Sequence, residues 1–253
     1  LIGSIPLGVV GSFVVVRRIS YLAAAIAHSA LGGIGLSLYA RSELAWTWLS
    51  PFTGALVFTL ASALLIGWIA GRQGQREDAA IGAVWVSGMA IGVIAIAKTP
   101  GYNDPMAYLF GDILLVQQGE LWLAGGFAAG IVGLLLVWHR QLFSVLFDPE
   151  FAASRGLRKD PVYLLLLVLT ALTVVTLVSL VGVVLVVALL TLPPAIALAR
   201  FKHFGLVIAA AVIVNALCVG LGLWLSYAVD LPAGPSIILV AATLYLASLL
   251  RKP

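Results

Sequence analysis

The sequence predicts an all-α protein, a single polytopic membrane bundle of about eight or nine transmembrane helices filling residues 1–253. Two observations carry this. Hydrophobic residues make up 62% of the chain and charged ones 9%, against about 25% charged in a soluble domain. That leaves too little polar surface to cover a core in water. The few charges lie at seams between long apolar stretches, and the basic ones gather at alternate seams. Arg17/Arg18, Arg72/Arg76, Arg140 to Lys159, Arg200/Lys202 and Arg251/Lys252 hold twelve of the fourteen cationic residues. Cytoplasmic loops keep Lys and Arg, and translocated loops lose them.

A helix crosses hydrocarbon with about 20 residues. The apolar stretches place spans at 1–16, 22–40, 48–70, 79–97, 121–138, 162–180, 183–199, 205–227 and 236–250. The alternating segments of about 10 residues that a barrel needs are not found. The first span is short and opens at Leu1 with neither an initiator Met nor a charged leader. It is read as a span and not a signal peptide, and the chain is expected to lack a few N-terminal residues. With the basic seams inside, nine spans put the N-terminus outside and the C-terminus in the cytoplasm. The +4 net charge arises from the inner loops and suits anionic lipid or an acidic partner. No basic patch interleaved with aromatics points to nucleic acid. Cys218 sits inside an apolar span as the one cysteine of the chain, so it cannot form an intrachain disulfide and is assigned to packing.

Five segments depart from plain spans. Met106–Val116 is apolar but too short to cross, and Gly111 breaks it. It reads as a re-entrant or interfacial helix, and irregular backbone at membrane depth is tolerated where it lines a cavity or lies in protein. The second span crowds Ala23, Ala24, Ala25, Ala27, Ser29, Ala30, Gly32, Gly33 and Gly35, and the fifth holds Gly126 and Gly130. Small faces let helix backbones approach; close packing within one subunit is the expected use of both, with a pore-facing role for the small face of the second span as the alternative. Pro193 and Pro194 interrupt the seventh span. Proline removes a backbone donor and kinks a helix, so they are candidates for a gate element as well as for structure. In the longest inner loop, residues 147–157 (FDPEFAASRGL) read as a short amphipathic helix. Asp148 can cap it, Pro149 suits its first position, Glu150 its first turn, and Gly156 its end. Phe151 and Leu157 offer apolar contacts, with Ala152 between them, so the helix could seat in a partner's groove or rest on the membrane surface.

Polar groups inside spans are expensive and default to functional candidates. His28 is the one ionisable residue well inside a predicted span. Neutral imidazole is a common transition-metal ligand, so His28, with Ser29 beside it, is either a structural histidine bonded to a neighbouring helix or a group that handles metal. His139 and His203 sit beside Arg140 and Lys202 and are assigned to the interface. Among the outer acids, Asp112 follows Gly111 in the broken apolar segment, and Asp230 begins the stiff turn DLPAGPS. Carboxylates at an outer mouth would draw cations. No Walker A sequence, HExxH or nucleophile–base pairing is present, so the chain is not read as an enzyme. Any uphill movement must draw on a partner ATPase or an ion gradient.

Five stretches together resemble the membrane permeases of bacterial zinc/manganese/iron-type ABC importers, the zinc permeases most of all. They are GSFVVVRRISYLAAAIAHSALGG (11–33), DPMAYLFGDILLV (104–116), FDPEFAASRGL (147–157), LVGVVLVVALLTLPPAIALAR (180–200) and DLPAGPSIILVAA (230–242). The resemblance implies a type II ABC importer-like fold in a bacterial inner membrane. It implies a permease homodimer, cytoplasmic ABC ATPase subunits and a periplasmic or lipid-anchored metal-binding protein. Zn2+, or Mn2+ or Fe2+, would be cargo, with no tightly bound cofactor. Residues 147–157 would be the helix that couples to the ATPase, and His28 would line the metal pathway. The chain departs from the family at three places. Ala24 stands where many members carry Asp, Ile196 stands where a small polar residue follows the prolines, and Trp85 and Val86 stand where some zinc-type members carry His. Two other readings are an ATPase-independent secondary transporter of a small solute, and a non-transporting assembly or sensor subunit.

Overall fold

The computed structural model of the chain describes residues 1–70, 77–101, 105–111, 118–147, 149–154, 156 and 159–250. Those residues form helices and connecting turns, with no strand among them. In chain order the helices are α1 (Ser4–Val16), α2 (Ser20–Glu43), α3 (Pro51–Ala70), α4 (Glu77–Lys98), α5 (Pro105–Phe110), α6 (Gln118–Phe147), α7 (Pro149–Ser154), α8 (Lys159–Val181), α9 (Val183–Leu198), α10 (Phe204–Val229) and α11 (Ala233–Leu250).

Among the described residues, 7 helices are long and apolar enough to cross a membrane: α2, α3, α4, α6, α8, α10 and α11. The expected eight or nine included 1–16 and 183–199. Those stretches form α1, with 13 residues, and α9, with 16. At 1.5 Å per residue they reach about 20 and 24 Å, short of an approximately 30 Å hydrocarbon core. Length alone therefore does not make them spans. The fifth stretch is longer than its apolar part. α6 runs on past Trp138 through His139 and Arg140 for 30 residues in all, because a helix can carry polar groups once it leaves the apolar layer. The break expected between the spans 162–180 and 183–199 falls at Gly182, and α8 continues through Ser179 to Val181.

Burial separates inner from outer helices. α2 and α8 are largely enclosed, while α3, α4, α6, α10 and α11 bury one side and expose apolar residues on the other. That outward apolar surface suits lipid. Trp46 and Trp48 stack at 5.9 Å and are exposed with Trp122, Trp224 and Tyr227. All lie near helix ends on the side of the bundle that holds α5, as an aromatic belt at a membrane interface would.

Glycines set the closest approaches. A Cβ on Gly32 would lie 2.8 Å from the Gly88 carbonyl oxygen, one on Gly88 would lie 2.8 Å from Ser29 Cα, and one on Gly35 would lie 2.9 Å from Gly92 Cα. Numbers rise together on both helices, so α2 and α4 run parallel with their backbones in contact. On another face of α2, a Cβ on Gly54 of α3 would meet Ser37 Cβ at 2.8 Å. The small residues of α2 thus serve packing within the chain, as expected. Gly126 and Gly130 of α6 do not, since nothing lies within 4 Å of a Cβ added at either. They sit on the outward side of a helix that buries only one stripe, including Ala124, Ala128, Ile131 and Leu135.

Candidate functional site

His28 sits in the N-terminal half of α2, half-buried. Its ring stacks on Trp85 of α4, with centroids 4.9 Å apart and planes 14° from parallel. The close α2–α4 approach through Gly32, Gly88 and Gly92 makes this pairing possible, because residues one turn from a backbone contact are brought side by side. The imidazole Nδ1 is buried and has no hydrogen-bond partner among the described residues. A structural histidine would spend that nitrogen on a neighbouring helix, since an unmet buried polar atom costs about 1–3 kcal/mol. His28 therefore carries an enclosed nitrogen without a hydrogen-bond partner. The Ser29 hydroxyl is partnered, donating to the Ile26 carbonyl at 2.6 Å inside its own helix. Ala24, one turn before His28 on the same face, is buried and brings no donor atom.

The other candidates lie elsewhere. Asp230 ends α10 in the left-handed conformation, φ 55° and ψ 49°, and is exposed. Its backbone N–H donates to the Ser226 carbonyl, and the Ser226 hydroxyl donates to the Leu231 carbonyl at 2.5 Å. Asp230 thus shapes the turn into α11. Asp112 lies outside the described residues. Among the described residues no group of three or more His, Cys, Asp or Glu side chains could hold a metal ion.

Three of the resembling stretches meet at one point. α5 ends at Phe110, and Gly111 follows at φ +68°. A Cβ there would lie 2.6 Å from the Gly182 nitrogen. Gly182, at φ +80°, separates α8 from α9, and its Cβ would lie 2.5 Å from the Phe110 carbonyl carbon. A Cβ on Gly234 of α11 would lie 2.5 Å from the Phe110 carbonyl oxygen. The short helix is therefore fastened by backbone contact to α8, α9 and α11.

Pro193 and Pro194 are buried within α9, and the helix runs through them from Val183 to Leu198. They do not end it, as an interruption would. Each lacks the N–H for the carbonyl four residues back, which leaves the Leu189 and Leu190 carbonyls without helical donors. Gly11 of α1 lies against the Leu190 carbonyl, and its Cβ would stand 2.8 Å from Pro194 Cγ. Cys218 is fully buried and free. Asn215 of α10 is fully buried with both amide atoms unpaired among the described residues. Sequence reasoning passed over it, although a lone Asn in an apolar run of 26 residues was the signal.

The stretch 147–157 is less than one helix. Phe147 closes α6, α7 spans Pro149–Ser154, and Gly156 follows at φ +78°. Asp148, the proposed cap, lies outside the described residues. Ala152 is buried and Glu150 exposed. Above α7 stands an aromatic cluster. Phe147 and Phe143 lie 4.5 Å apart, Phe147 meets Phe204 edge-on at 5.5 Å, and Phe204 meets Phe13 edge-on at 4.8 Å.

Such a bundle, with a buried unpaired imidazole nitrogen among its described residues and short helices at both ends, is that of a polytopic membrane protein of the transporter kind. Residues 1–252 match the ABC 3 transport family, and the chain belongs to that family as a permease subunit with no catalysis of its own. It is 42% identical to an uncharacterized membrane protein of Synechocystis, over 98% of this chain and 86% of that protein. It is 37% identical to a probable metal transport system membrane protein of Chlamydia trachomatis, over 98% and 85%. The manganese import system permease protein ScaB of Streptococcus gordonii is 31% identical, over 97% and 86%. Among solved structures, PsaBC from Streptococcus pneumoniae in complex with Fab superposes with a TM-score of 0.87 at 33% identity, covering 100% of this chain and 88% of that one. An inward-facing putative metal-chelate type ABC transporter shares the fold, with a TM-score of 0.70 at 14% identity.

Proposed function

We propose that this chain is the membrane permease of an ATP-driven importer for a divalent transition metal, zinc before manganese or iron, working by alternating access. The observation that carries the reading is the His28 imidazole, half-open in a membrane helix with an unpaired Nδ1. An ionisable group turned to lipid is costly, and such groups normally face a bundle interior or a water-filled path. A second copy of this chain, closing the path over His28, supplies that environment. The open glycines of α6 are of the kind that lets helices of two copies approach. Imidazole suits zinc, whereas manganese favours carboxylate and carbonyl oxygen, and Ala24 withholds the carboxylate. The relatives named for manganese support metal transport and leave zinc to this chemical argument.

The rest of the reading follows the family. The chain forms one membrane domain. α1 and α9 join the seven long helices as spans, with α5 re-entrant at the outer face and the C-terminus cytoplasmic. The α7 region couples to an ABC ATPase, and a metal-binding protein delivers cargo at the α5 end. Asp112 and Asp230 belong to the outer approach, and Pro193 and Pro194 to a gate. Family membership disfavours the ATPase-independent secondary transporter.

The test is metal content by mass spectrometry in cells lacking high-affinity zinc uptake. They would express the chain with its ATPase and binding protein, as wild type or His28→Ala. Zinc gained by wild type and lost in the variant, with equal protein in the membrane, is the expected result. Manganese or iron gained instead would change the cargo and keep the mechanism. No metal gained by wild type with all subunits present would overturn the reading.

A further inference from the structure

We propose that Trp85 is a positioning and specificity residue for metal transfer. It holds the His28 ring by stacking, and it occupies the place from which α4 could offer a second donor. This rests on the reading of His28 as a pathway ligand and deepens it.

The geometry has three parts. The rings lie nearly parallel at 4.9 Å, a separation at which an aromatic face restricts imidazole to rotation in one plane. A metal can then approach only the ring edge, and with Nδ1 buried the nitrogen left to meet it is Nε2. The two helices are locked at this level, because Gly88 leaves no room for a Cβ against Ser29 and Gly92 none against Gly32. The indole therefore cannot withdraw by sliding of α4. Finally, the same residue sets the number of donors. Ala24 contributes none, Ser29 is fully buried with its hydroxyl turned to the Ile26 carbonyl, and indole donates a hydrogen but accepts no metal. Among the described residues His28 is left as a single nitrogen ligand. One ligand holds a cation briefly, whereas closed sites of four donors hold it as structure. Conduction requires binding weak enough to leave, so Trp85 keeps the site fast at the expense of affinity.

A histidine at position 85 would reverse this. Its ring would stand within reach of the same cation and give two imidazoles on facing helices. Binding would tighten and release would slow.

The experiment uses the complete importer in proteoliposomes, permease with ATPase and binding protein. Zinc and manganese are each offered as the probe, and the comparison is made on the metal that accumulates. Wild type, Trp85→Ala, Trp85→Phe, Trp85→His and His28→Ala are compared for KM and maximal rate. Metal retained by the purified permease is measured by equilibrium dialysis. Trp85→Ala should raise KM about tenfold, the scale seen when the partner orienting a metal-ligating histidine is lost. Trp85→Phe, which keeps a flat ring, should recover most of that. Trp85→His should lower both KM and maximal rate and should retain metal that wild type releases. If His28→Ala abolishes uptake while Trp85→Ala and Trp85→His both leave KM and retention at wild-type values, Trp85 is packing and the proposal fails. If His28→Ala transports normally, the reading of His28 fails and takes this inference with it. A Trp85→Ala permease that does not assemble leaves the decision to Trp85→His and Trp85→Phe, which keep a ring at the contact.

Discussion

Gly111 and Gly182 meet backbone to backbone, each at positive φ and each in the space a side chain of the other would need. Their contact joins the end of α5 to the break between α8 and α9. Gly182 sits at φ 80° and ψ 159°, an extended positive-φ conformation that costs a residue with a Cβ about 1–3 kcal/mol, and here the Cβ would also strike main chain, which cannot swing aside. Gly182→Ala is therefore expected to destabilise by more than about 2 kcal/mol. Gly156→Ala, at φ +78° with nothing nearby, should lose only the conformational part. Gly82→Ala, in mid-helix and open space, should gain about 0.5–1 kcal/mol. Thermal unfolding of the three purified variants checks the order, and equal midpoints for Gly182→Ala and Gly156→Ala would refute the steric argument.

Ala24→Asp tests the metal chemistry from the other side. It would place a carboxylate one turn from His28 on the same face. Oxygen favours manganese relative to an imidazole alone, so the ratio of manganese to zinc uptake should rise. A carboxylate at a helix centre costs about 2.5–3.5 kcal/mol in the membrane, so the variant should also be less stable. Competition uptake with both metals measures the first effect. An unchanged ratio in a properly inserted variant would remove Ala24 from the account of selectivity.

The cluster of Phe13, Phe143, Phe147 and Phe204 ties α1, α6 and α10 together just above α7. If α7 docks the ATPase, force applied there passes through these rings. Phe204→Ala should lower metal uptake per ATP hydrolysed, with the ATPase still bound. Glu150→Lys and Phe151→Ala should instead weaken ATPase binding and leave the fold intact. Co-purification and a coupled uptake assay separate the two. Full co-purification with both loop variants would count against docking at α7.

Asn215 buries an amide with both polar atoms unpaired among the described residues. Leaving a buried group unsatisfied costs about 1–3 kcal/mol, and leucine of similar size removes the debt. Asn215→Leu should raise the unfolding temperature. A lowered midpoint would mean that the amide has a partner in the assembled transporter.

Much of the bundle was legible because apolar length and charge placement act over whole helices. α2, α3, α8, α10 and α11 begin and end within a few residues of the stretches read from hydropathy, and the α8–α9 break fell at a glycine. α6 overran its prediction because a helix does not end where a membrane does. The site was legible only in part. His28 announced itself as an ionisable group in an apolar span, but its partner did not. In the sequence Trp85 marks only the absence of a histidine, and it takes the meeting of α2 and α4 to lay its ring on His28. The signal lay in the glycines at 32, 35, 88 and 92, whose matched spacing permits a backbone contact but does not name the residues it brings together. Asn215 was hidden for a similar reason, since burial of an amide depends on neighbours that hydropathy does not specify.

The same crossing bears on how such a permease could move. Helices separated by a layer of side chains can slide past one another by rearranging rotamers, and small sliding of this kind underlies shear motion. α2 and α4 have no such layer where they touch. They behave as one beam, and any change of access must take place at the joints around it. The imidazole and the indole would then ride together through every stage of the cycle, so a cation would meet the same ring edge whether the way in or the way out stood open.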